Sequence, residues 1–307
     1  MMDGLYMKRI GWVISLSSFL VVSAVVVLRY TIFSSSPIHV PVSGRGLPLY
    51  YWEPRVHHDF TNFGDALSEK IVEKVVGHPL ITTFSNCLLR DCGKKKLLAI
   101  GSIIHMAEEG DVIWGSGING KHLDDTDKEI YRFTNLDVRA VRGPLTRRFL
   151  LDMDIDCPPI YGDPALLLPR LFPEFKKKKN PSLEYIVIPH CDHEGFFIGN
   201  PHVISAKEDW DEIIRQILDA KLVIATSMHA LIVAEAFGVP ARYLKVNDSE
   251  PLFKYADYYA GTGRPDFKYA LTIEEALEMG GEPMPKCDLD KLMKAFPYDL
   301  FPSGRPF

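Results

Sequence analysis

Residues 222–244 read LVIATSMHALIVAEAFGVPARYL, and they contain a clear indication of the fold class. The run Leu222–Ala225 is strand-like, Ala230–Phe237 is helix-like, and Ala241–Leu244 is again strand-like. A strand, a helix and a second strand in direct succession form a βαβ unit, which places two parallel strands in one sheet. The stretch therefore predicts a parallel sheet covered by helices.

The same alternation occurs through the chain after residue 46. Further strand-like runs are Leu47–Trp52, Leu97–Ile100, Asp111–Trp114, Val138–Val141 and Tyr185–Ile188. Further helix-like runs are Ala66–Val76, Pro144–Met153 and Asp209–Asp219. Continuous apolar strands separated by helices indicate parallel sheets that are buried on both faces. We therefore predict an α/β fold with two domains, each built around its own sheet.

A break at residues 173–182 separates the two predicted domains. Pro173, the run Lys176–Lys179 and Pro181 interrupt every periodic pattern there. We predict an N-terminal domain over 47–172, a linker over 173–182, and a C-terminal domain with its tail over 183–307. The four lysines could also form a patch for nucleic acid or anionic lipid, although so short a run is more often a solvated connector.

The composition of the 307 residues excludes several classes of protein. A hydrophobic content of 47% suffices for packed cores and argues against a disordered or collagen-like chain. The net charge of −5 provides no positive field for nucleic acid. None of the five cysteines has the spacing of a structural zinc site. Cys87 and Cys92 are close enough in sequence to form a disulfide.

The amino end has the pattern of a membrane anchor. Residues 10–28 hold no charged side chain, and as a helix they would cover the hydrocarbon core of a bilayer, roughly 30 Å. Lys8 and Arg9 precede this run, whereas Arg29 stands alone after it. The bias predicts a single-pass type II protein with a cytoplasmic tail (1–9), a transmembrane anchor (10–28) and a stem (29–46).

A cleaved signal peptide and a buried core helix are the alternatives to an anchor. The apolar stretch of a signal peptide would be shorter than this run, and a core helix would be unusual at the extreme terminus. With an anchor, the folded part would face a Golgi-type lumen in a eukaryote or lie at the inner membrane in a bacterium.

Polar residues and glycines follow the predicted strands, at the edge where parallel sheets bind ligands. The first domain supplies Asn62, Gly64, Asp65, Gly115, Ser116, Gly117, Arg139, Arg142 and Asp163. The second domain supplies His190, Ser227, His229 and Lys245. These positions predict one site in a cleft between the domains.

The motifs of the first domain are also compatible with purely structural roles. Residues 62–65 suit a turn with a helix N-cap, and residues 115–117 suit a tight turn as well as an anion cradle. Asp163 suits a turn as well as a carboxylate at the hinge. Arg142 opens a helix, where a cation opposes the helix dipole unless an anion lies between them.

The histidines of the second predicted domain are likewise compatible with either a structural or a functional role. His229 could stabilise its turn or donate a proton at near-neutral pH. His190, Asp192 and His193 resemble a metal cluster, but their spacing is not helical and no distant third ligand is visible. We therefore expect no metal.

Five motifs in order resemble a known family. They are NFGD at 62–65, GSGI at 115–118, VRAVRGPLT at 138–146, YGDPALLLP at 161–169 and VIATSMHALIVAEAFGVP at 223–240. From about Leu49 to Leu244 the chain resembles the polysaccharide pyruvyl transferase family, and more narrowly its exopolysaccharide ketal-forming members. The resemblance implies two Rossmann-like domains facing a cleft, as in B-type glycosyltransferases. It also implies transfer of pyruvate from phosphoenolpyruvate to two hydroxyls of a sugar in a glycan or polysaccharide, which gives a cyclic ketal.

The resemblance also implies roles for particular residues. It maps the family's helix-start arginine onto Arg142 and its late histidine onto His229. Many members carry an arginine where this chain has Ser227, so another cation must then help to hold the donor. The candidates for that cation are Arg139, Lys245 and Arg264.

The chemistry of phosphoenolpyruvate fits the remaining candidates. Its phosphate and carboxylate need fixed donors, which residues 62–64 and 115–117 would provide together with the cations and Ser227. His229 would protonate the methylene carbon, while Asp65 or Asp163 would orient the acceptor or accept its hydroxyl proton. No step requires a metal or a further cofactor.

Two further functions are compatible with the same sequence. A nucleotide-sugar glycosyltransferase could use the same architecture, with Glu235 contacting the ribose. An inactive, anchored glycan-binding module is the second, and the absence of arginine at Ser227 is its main support.

Overall fold

The computed structural model of the chain describes residues 47–52, 60–80, 82–84, 95–121, 123 and 130–301. Within these residues the strands are β1 (Leu49–Tyr51), β2 (Thr82–Phe84), β3 (Leu97–Leu98), β4 (Val112–Trp114), β5 (Asp137–Ala140), β6 (Ile186–Ile188), β7 (Val223–Ala225) and β8 (Ala241–Tyr243). The α-helices are α1 (Phe63–Val76), α2 (Pro144–Leu151), α3 (Leu168–Leu171), α4 (Trp210–Leu218), α5 (Met228–Ala236), α6 (Leu252–Gly261), α7 (Ile273–Met279) and α8 (Leu289–Lys294).

The strands form two sheets, and every pair of neighbouring strands is parallel. The first sheet has the order β2-β1-β3-β4-β5, and the second has the order β6-β7-β8. The predicted α/β fold with parallel sheets is thus confirmed. In the first sheet the strand order reverses between β1 and β3. Such reversals open a crevice beyond the carboxyl ends of the strands, where α/β proteins bind ligands.

One apolar core contacts both sheets. Helix α1 directs Leu67, Ile71 and Val75 into it, and Ile186 and Ile188 of β6 belong to the same cluster of buried side chains. Helix α5 is buried along almost its whole length and packs against β7, β8 and the 3₁₀ turn Pro164–Leu167. A helix that is apolar on every face must be surrounded by protein. The first turn of α5 is therefore held in the interior.

Helix α1 begins three residues earlier than the periodic pattern predicts. The side chain of Asn62 accepts a hydrogen bond from the Gly64 N–H at 3.1 Å, which satisfies one of the unpaired donors at the helix start. Strand β2 and helices α3, α6, α7 and α8 are additional to the runs named from the sequence. In α6 the buried residues include Tyr255, Tyr258 and Tyr259, so its core face is aromatic rather than aliphatic.

The run Lys176–Lys179 is exposed along its whole length. Lys178 forms an ion pair with Asp219 at 2.6 Å, and Lys177 donates to the Gly238 carbonyl at 2.7 Å. The run is solvated, as expected of a connector. The division into domains at 173–182 stays a prediction.

The predicted anchor (10–28), the stem (29–46), Cys87 and Cys92 lie outside the described residues. In the part of the chain that the structure describes, no helix has the length and apolar character needed to cross a bilayer.

Candidate functional site

A cavity of about 320 Å³ lies at the carboxyl ends of the strands of both sheets. Every lining segment follows or ends a strand or opens the next helix, as the strand-end rule predicts. The lining residues are Tyr50, Trp52, Asn62, Asp65, Ser102, Ile103, His105, Met106, Asn119, Lys121, His190, Asp192, Ser227, Met228, His229, Glu250 and Lys254. Of the residues predicted from the sequence, five thus lie together on one cavity: Asn62, Asp65, His190, Ser227 and His229.

His229 lines the cavity and faces Asp163, which is fully buried and does not line it. Its Nε2 atom lies 4.0 Å from the Asp163 Oδ2 atom, which is too far for a direct hydrogen bond. Both atoms are buried, and neither has a hydrogen-bond partner among the described residues. The other oxygen of Asp163 accepts from the Ala165 N–H at 2.9 Å, which fixes the carboxylate. Either atom of the pair can therefore take up a proton without breaking an existing hydrogen bond.

Gly64 contributes to the site by lacking a side chain. A Cβ atom at this position would lie 2.1 Å from Nδ1 of His229, far inside van der Waals contact. The first turn of α1 and the first turn of α5 therefore touch at these two residues. The NFGD motif gives the imidazole its space, in addition to placing Asn62 and Asp65 on the cavity.

The pKa values of the pair differ from the expectation of a near-neutral histidine. Burial, together with the nearby positive charges of Arg142 and Lys254, lowers the pKa of His229 to about 3. Burial raises the pKa of Asp163 to about 6, although Arg142 opposes the shift. In the free protein at neutral pH, His229 is therefore neutral, and Asp163 is the group that titrates nearest to neutrality.

Arg142 is fully buried, and its counter-ion is a residue of the chain itself. Its Nε atom lies 3.5 Å from Asp257, while its two terminal nitrogens donate to Ser102 at 2.6 Å and to the Ile118 carbonyl at 2.8 Å. Burial lowers the pKa of the guanidinium, and Asp257 counteracts this. Arg142 does not line the cavity, but its partner Ser102 does.

Asp257 also occupies the helix start at which a donor anion was expected. Its carboxylate accepts from the Leu145 and Thr146 N–H groups at 2.9 and 3.0 Å, and from the Thr146 hydroxyl at 2.6 Å. The anion between Arg142 and the dipole of α2 is thus the side chain of Asp257. This corrects the argument that placed a ligand there.

The GSG motif at 115–117 supports Arg142 and does not line the cavity. The N–H groups of Gly115 and Gly117 are donated to the carbonyls of Ala140 and Gly101, so these two groups cannot cradle an anion. The Ser116 hydroxyl donates to the Gly101 carbonyl at 2.9 Å. A Cβ on Gly117 would lie 2.5 Å from the guanidinium carbon of Arg142, so this glycine makes room for the arginine.

The three cations proposed to replace the arginine missing at Ser227 do not line the cavity. Arg139 is paired with Asp137 and Asp299, and Lys245 is paired with Asp248. Arg264 is buried against Glu235, with which it forms hydrogen bonds at 2.7 and 2.8 Å.

Glu235 is itself saturated by Arg264 and by the Tyr258 hydroxyl, which donates to it at 2.6 Å. It is buried and does not line the cavity. The ribose contact expected of a nucleotide-sugar glycosyltransferase therefore finds no support at this residue.

The loop after β6 places only part of the HCDH sequence on the cavity. His190 and Asp192 line it, whereas His193 is buried and bonded through its two ring nitrogens to Thr226 and Ser249, both at 3.0 Å. Possible ligand atoms of His190, Cys191 and Asp192 lie within 4.8 Å of one another. Burial raises the pKa of the Cys191 thiol to about 12, which opposes the thiolate form that binds metals. The absence of a metal stays a prediction.

Sequence reasoning missed the ion cluster of Lys121, Glu250 and Lys254. Glu250 pairs with Lys121 at 2.6 Å and with Lys254, and all three residues line the cavity. Burial alone would raise the pKa of Glu250, but Lys254 and Lys121 lower it to about 2. The sequence feature that could have indicated this cluster is the i, i+4 spacing of Glu250 and Lys254 at a helix start.

The chain is similar in sequence to known proteins. The family model described as polysaccharide pyruvyl transferase matches residues 62–248. The chain is 27% identical to the succinoglycan biosynthesis protein ExoV of Rhizobium meliloti (strain 1021) over 75% of this chain and 71% of that protein. It is 23% identical to the uncharacterised protein L143 of Acanthamoeba polyphaga mimivirus, over 76% of this chain and 84% of the other.

A functionally uncharacterised protein from Klebsiella pneumoniae subsp. pneumoniae NTUH-K2044 is similar in structure. The TM-score is 0.43 at 14% sequence identity, over 73% of this chain and 93% of the other. The family match contains the NFGD motif, the Arg142 helix, Asp163 and the βαβ unit around His229. The chain therefore belongs to the polysaccharide pyruvyl transferase family and is a transferase of that family.

Proposed function

We propose that this enzyme transfers pyruvate from phosphoenolpyruvate to two hydroxyls of one sugar in a glycan, with release of phosphate. One hydroxyl oxygen bonds to the enol carbon while a proton is added to the methylene carbon, which becomes a methyl group. The second hydroxyl then displaces phosphate from the same carbon. One hydroxyl proton is thereby balanced by the new methyl group, and the other leaves with phosphate.

The observation that carries this proposal is the pair of His229, which lines the cavity, and Asp163, which is buried and faces His229. Protonation of the methylene carbon needs a positioned acid, and capture by a hydroxyl needs a positioned base. The facing Nε2 and Oδ2 atoms, 4.0 Å apart and without other partners among the described residues, can supply one proton and accept another. Asp65, on the first turn of α1, is placed to orient the acceptor.

Because the pKa of His229 is low in the free protein, a bound donor would also change the protonation of this side chain. Because positive charges and burial together lower this pKa to about 3, an anion bound in the cavity would raise it again. We propose that donor binding brings a proton onto the pair, so that the acid is formed only when the substrate is present. Titration calorimetry in buffers of different ionisation enthalpy should then detect net proton uptake when phosphoenolpyruvate binds near pH 7.

The function is tested with the full chain, phosphoenolpyruvate and a panel of oligosaccharides. Phosphate release and the appearance of a ketal methyl signal in NMR spectra should rise together. His229→Gln should lower turnover by about 10²–10⁴-fold with a smaller effect on donor affinity. His78→Gln, at a histidine outside the cavity, is the matched control. Binding of nucleotide-sugars without binding of phosphoenolpyruvate would contradict the proposal.

We further propose that the two sheets belong to two Rossmann-like domains and that residues 10–28 anchor the chain, with the folded part on the non-cytoplasmic side. The apolar run after Lys8 and Arg9 supports this orientation. In sealed vesicles the folded part should resist protease added from the cytoplasmic face. Its digestion under those conditions would contradict the orientation.

A further inference from the structure

We propose that Lys121 and Lys254 form the subsite that binds the phosphate of the donor, and that Glu250 holds both ammonium groups in position for it. The inference rests on the proposed function, because it assigns to particular residues the binding of that donor. Among the described residues, these two lysines are the only ones that bring an ammonium or guanidinium group to the cavity lining.

Two of the three charged side chains in this cluster are buried, and burying a charge costs free energy of desolvation. The side chains of Lys254 and Glu250 are only 6% and 4% exposed, whereas that of Lys121 is 43% exposed. A buried ion pair rarely improves stability over apolar residues of the same size. Two ammonium groups around one carboxylate also leave an excess of one positive charge. A cluster of this kind is better explained by an anionic ligand than by a contribution to folding.

The position of Lys254 on its helix supports the same conclusion. Lys254 is the third residue of α6, where a cation opposes the positive end of the helix dipole. Glu250 offsets part of this repulsion, but it is shared with Lys121. A phosphate beside both ammonium groups would complete the compensation and would form charge-assisted hydrogen bonds with them.

The cluster is also close enough to the reacting pair to influence it. Burial is the main cause of the lowered pKa values of His229 and His190, and the charge of Lys254 lowers both further; the pKa of His190 is about 4 with these effects combined. Phosphate bound at Lys254 would therefore lie within electrostatic reach of His229. Ser227, the residue that stands where an arginine was expected, lines the same cavity with a small side chain. The positive charge that Ser227 does not provide is thus supplied by Lys254 of α6 and by Lys121 of the loop after β4.

The test measures the affinity for inorganic phosphate, phosphoenolpyruvate and pyruvate by titration calorimetry. Lys121→Met should weaken phosphate and phosphoenolpyruvate binding about tenfold or more, which is the loss of one charge-assisted hydrogen bond, and should change pyruvate binding less. Lys254→Met should have the larger effect. Lys207→Met is the matched control, because Lys207 is also a partly exposed lysine paired with a glutamate and lies outside the cavity.

The outcomes separate this inference from the function on which it rests. Normal melting with unchanged phosphate affinity in Lys121→Met would overturn the subsite while leaving pyruvyl transfer intact. If Lys254→Met does not fold, Lys121→Met still decides, because that side chain is substantially exposed. A wild-type protein that binds neither phosphoenolpyruvate nor phosphate would contradict the proposed function itself. Equal weakening by Lys207→Met would show a general charge effect and would also overturn the subsite.

Discussion

Asp163 is a buried carboxyl group that folding forces toward its neutral form. Because its pKa is raised to about 6 in the folded chain, folding favours the protonated side chain. The stability gained from this group is complete below pH ~4, where the unfolded carboxyl is also protonated, and is lost as the pH rises through 6. Above pH 7 the enzyme therefore keeps an ionised carboxylate that costs stability.

Asp163→Asn should remove this cost while keeping the hydrogen bond from the Ala165 N–H. Urea unfolding at pH 7.5 should show a gain of roughly 2–3 kcal/mol, and at pH 4 the gain should be nearly absent. Turnover should fall at both pH values, since the amide cannot accept the proton. A gain that is equal at the two pH values would contradict the assigned ionisation.

Substitution of Gly64 tests whether the space around His229 is needed for catalysis. Gly64→Ala would place a methyl group 2.1 Å from Nδ1 of His229, so the imidazole must move. We expect turnover to fall by about 10²-fold, as for a small misplacement of a reacting group, and stability to fall by about 1–3 kcal/mol.

Gly195→Ala is the control for this substitution, because nothing lies within 4 Å of the position of its Cβ. It should change neither turnover nor melting temperature. Full activity of a folded Gly64→Ala variant would show that the imidazole does not need its present position.

At the scale of elements, the start of α2 depends on a side chain from α6. Asp257→Ala would leave Arg142 buried without its nearest counter-ion and would remove three hydrogen bonds from Leu145 and Thr146. The free energy of unfolding should fall by about 3–5 kcal/mol. Asp288→Ala, at the more exposed N-cap of α8, should cost only about 1 kcal/mol.

A double-mutant cycle separates the ion pair from the helix cap. In the background of Arg142→Met, Asp257→Ala should cost markedly less, because no unpaired charge is left behind. If the two substitutions are additive instead, the carboxylate stabilises α2 without acting on Arg142.

The elements that continuous apolar runs define could be predicted from the sequence. Strands β6, β7 and β8 and helix α5 agree with their predicted runs to within two residues, because burial on every side leaves an unbroken apolar signal. Strand β2 has the sequence TTF, and α6 has an aromatic face with lysine and aspartate between the rings. Neither gives a strong periodic signal on its own.

The site could be predicted only in part. His229 and Asp65 were found because they directly follow strands or open helices. Lys254 could not be found in this way, because α6 begins several residues after β8. Only the tertiary fold brings this helix to the cavity. The role of Asp257 could not be predicted either, because it comes from contacts between residues more than 100 positions apart.

In the molecule as a whole, the predicted connector 173–182 should tolerate loss of its charge. Replacement of Lys176–Lys179 by glutamine removes the exposed ion pair between Lys178 and Asp219. Exposed ion pairs contribute little to the free energy of unfolding. We expect the free energy of unfolding to change by about 0.5 kcal/mol and donor affinity to stay constant. A large loss of donor binding would place the run at the site instead.

The contact between Gly64 and His229 restricts how the gene can recombine. The glycine lies in the first half of the chain and the histidine in the second, and the imidazole occupies the volume that a side chain at position 64 would need. A chimera that joins the first half of one relative to the second half of another would be viable only when both parents have this pair. When two parents differ at either position, active recombinants should therefore take positions 64 and 229 from the same parent, although the two are far apart in the chain.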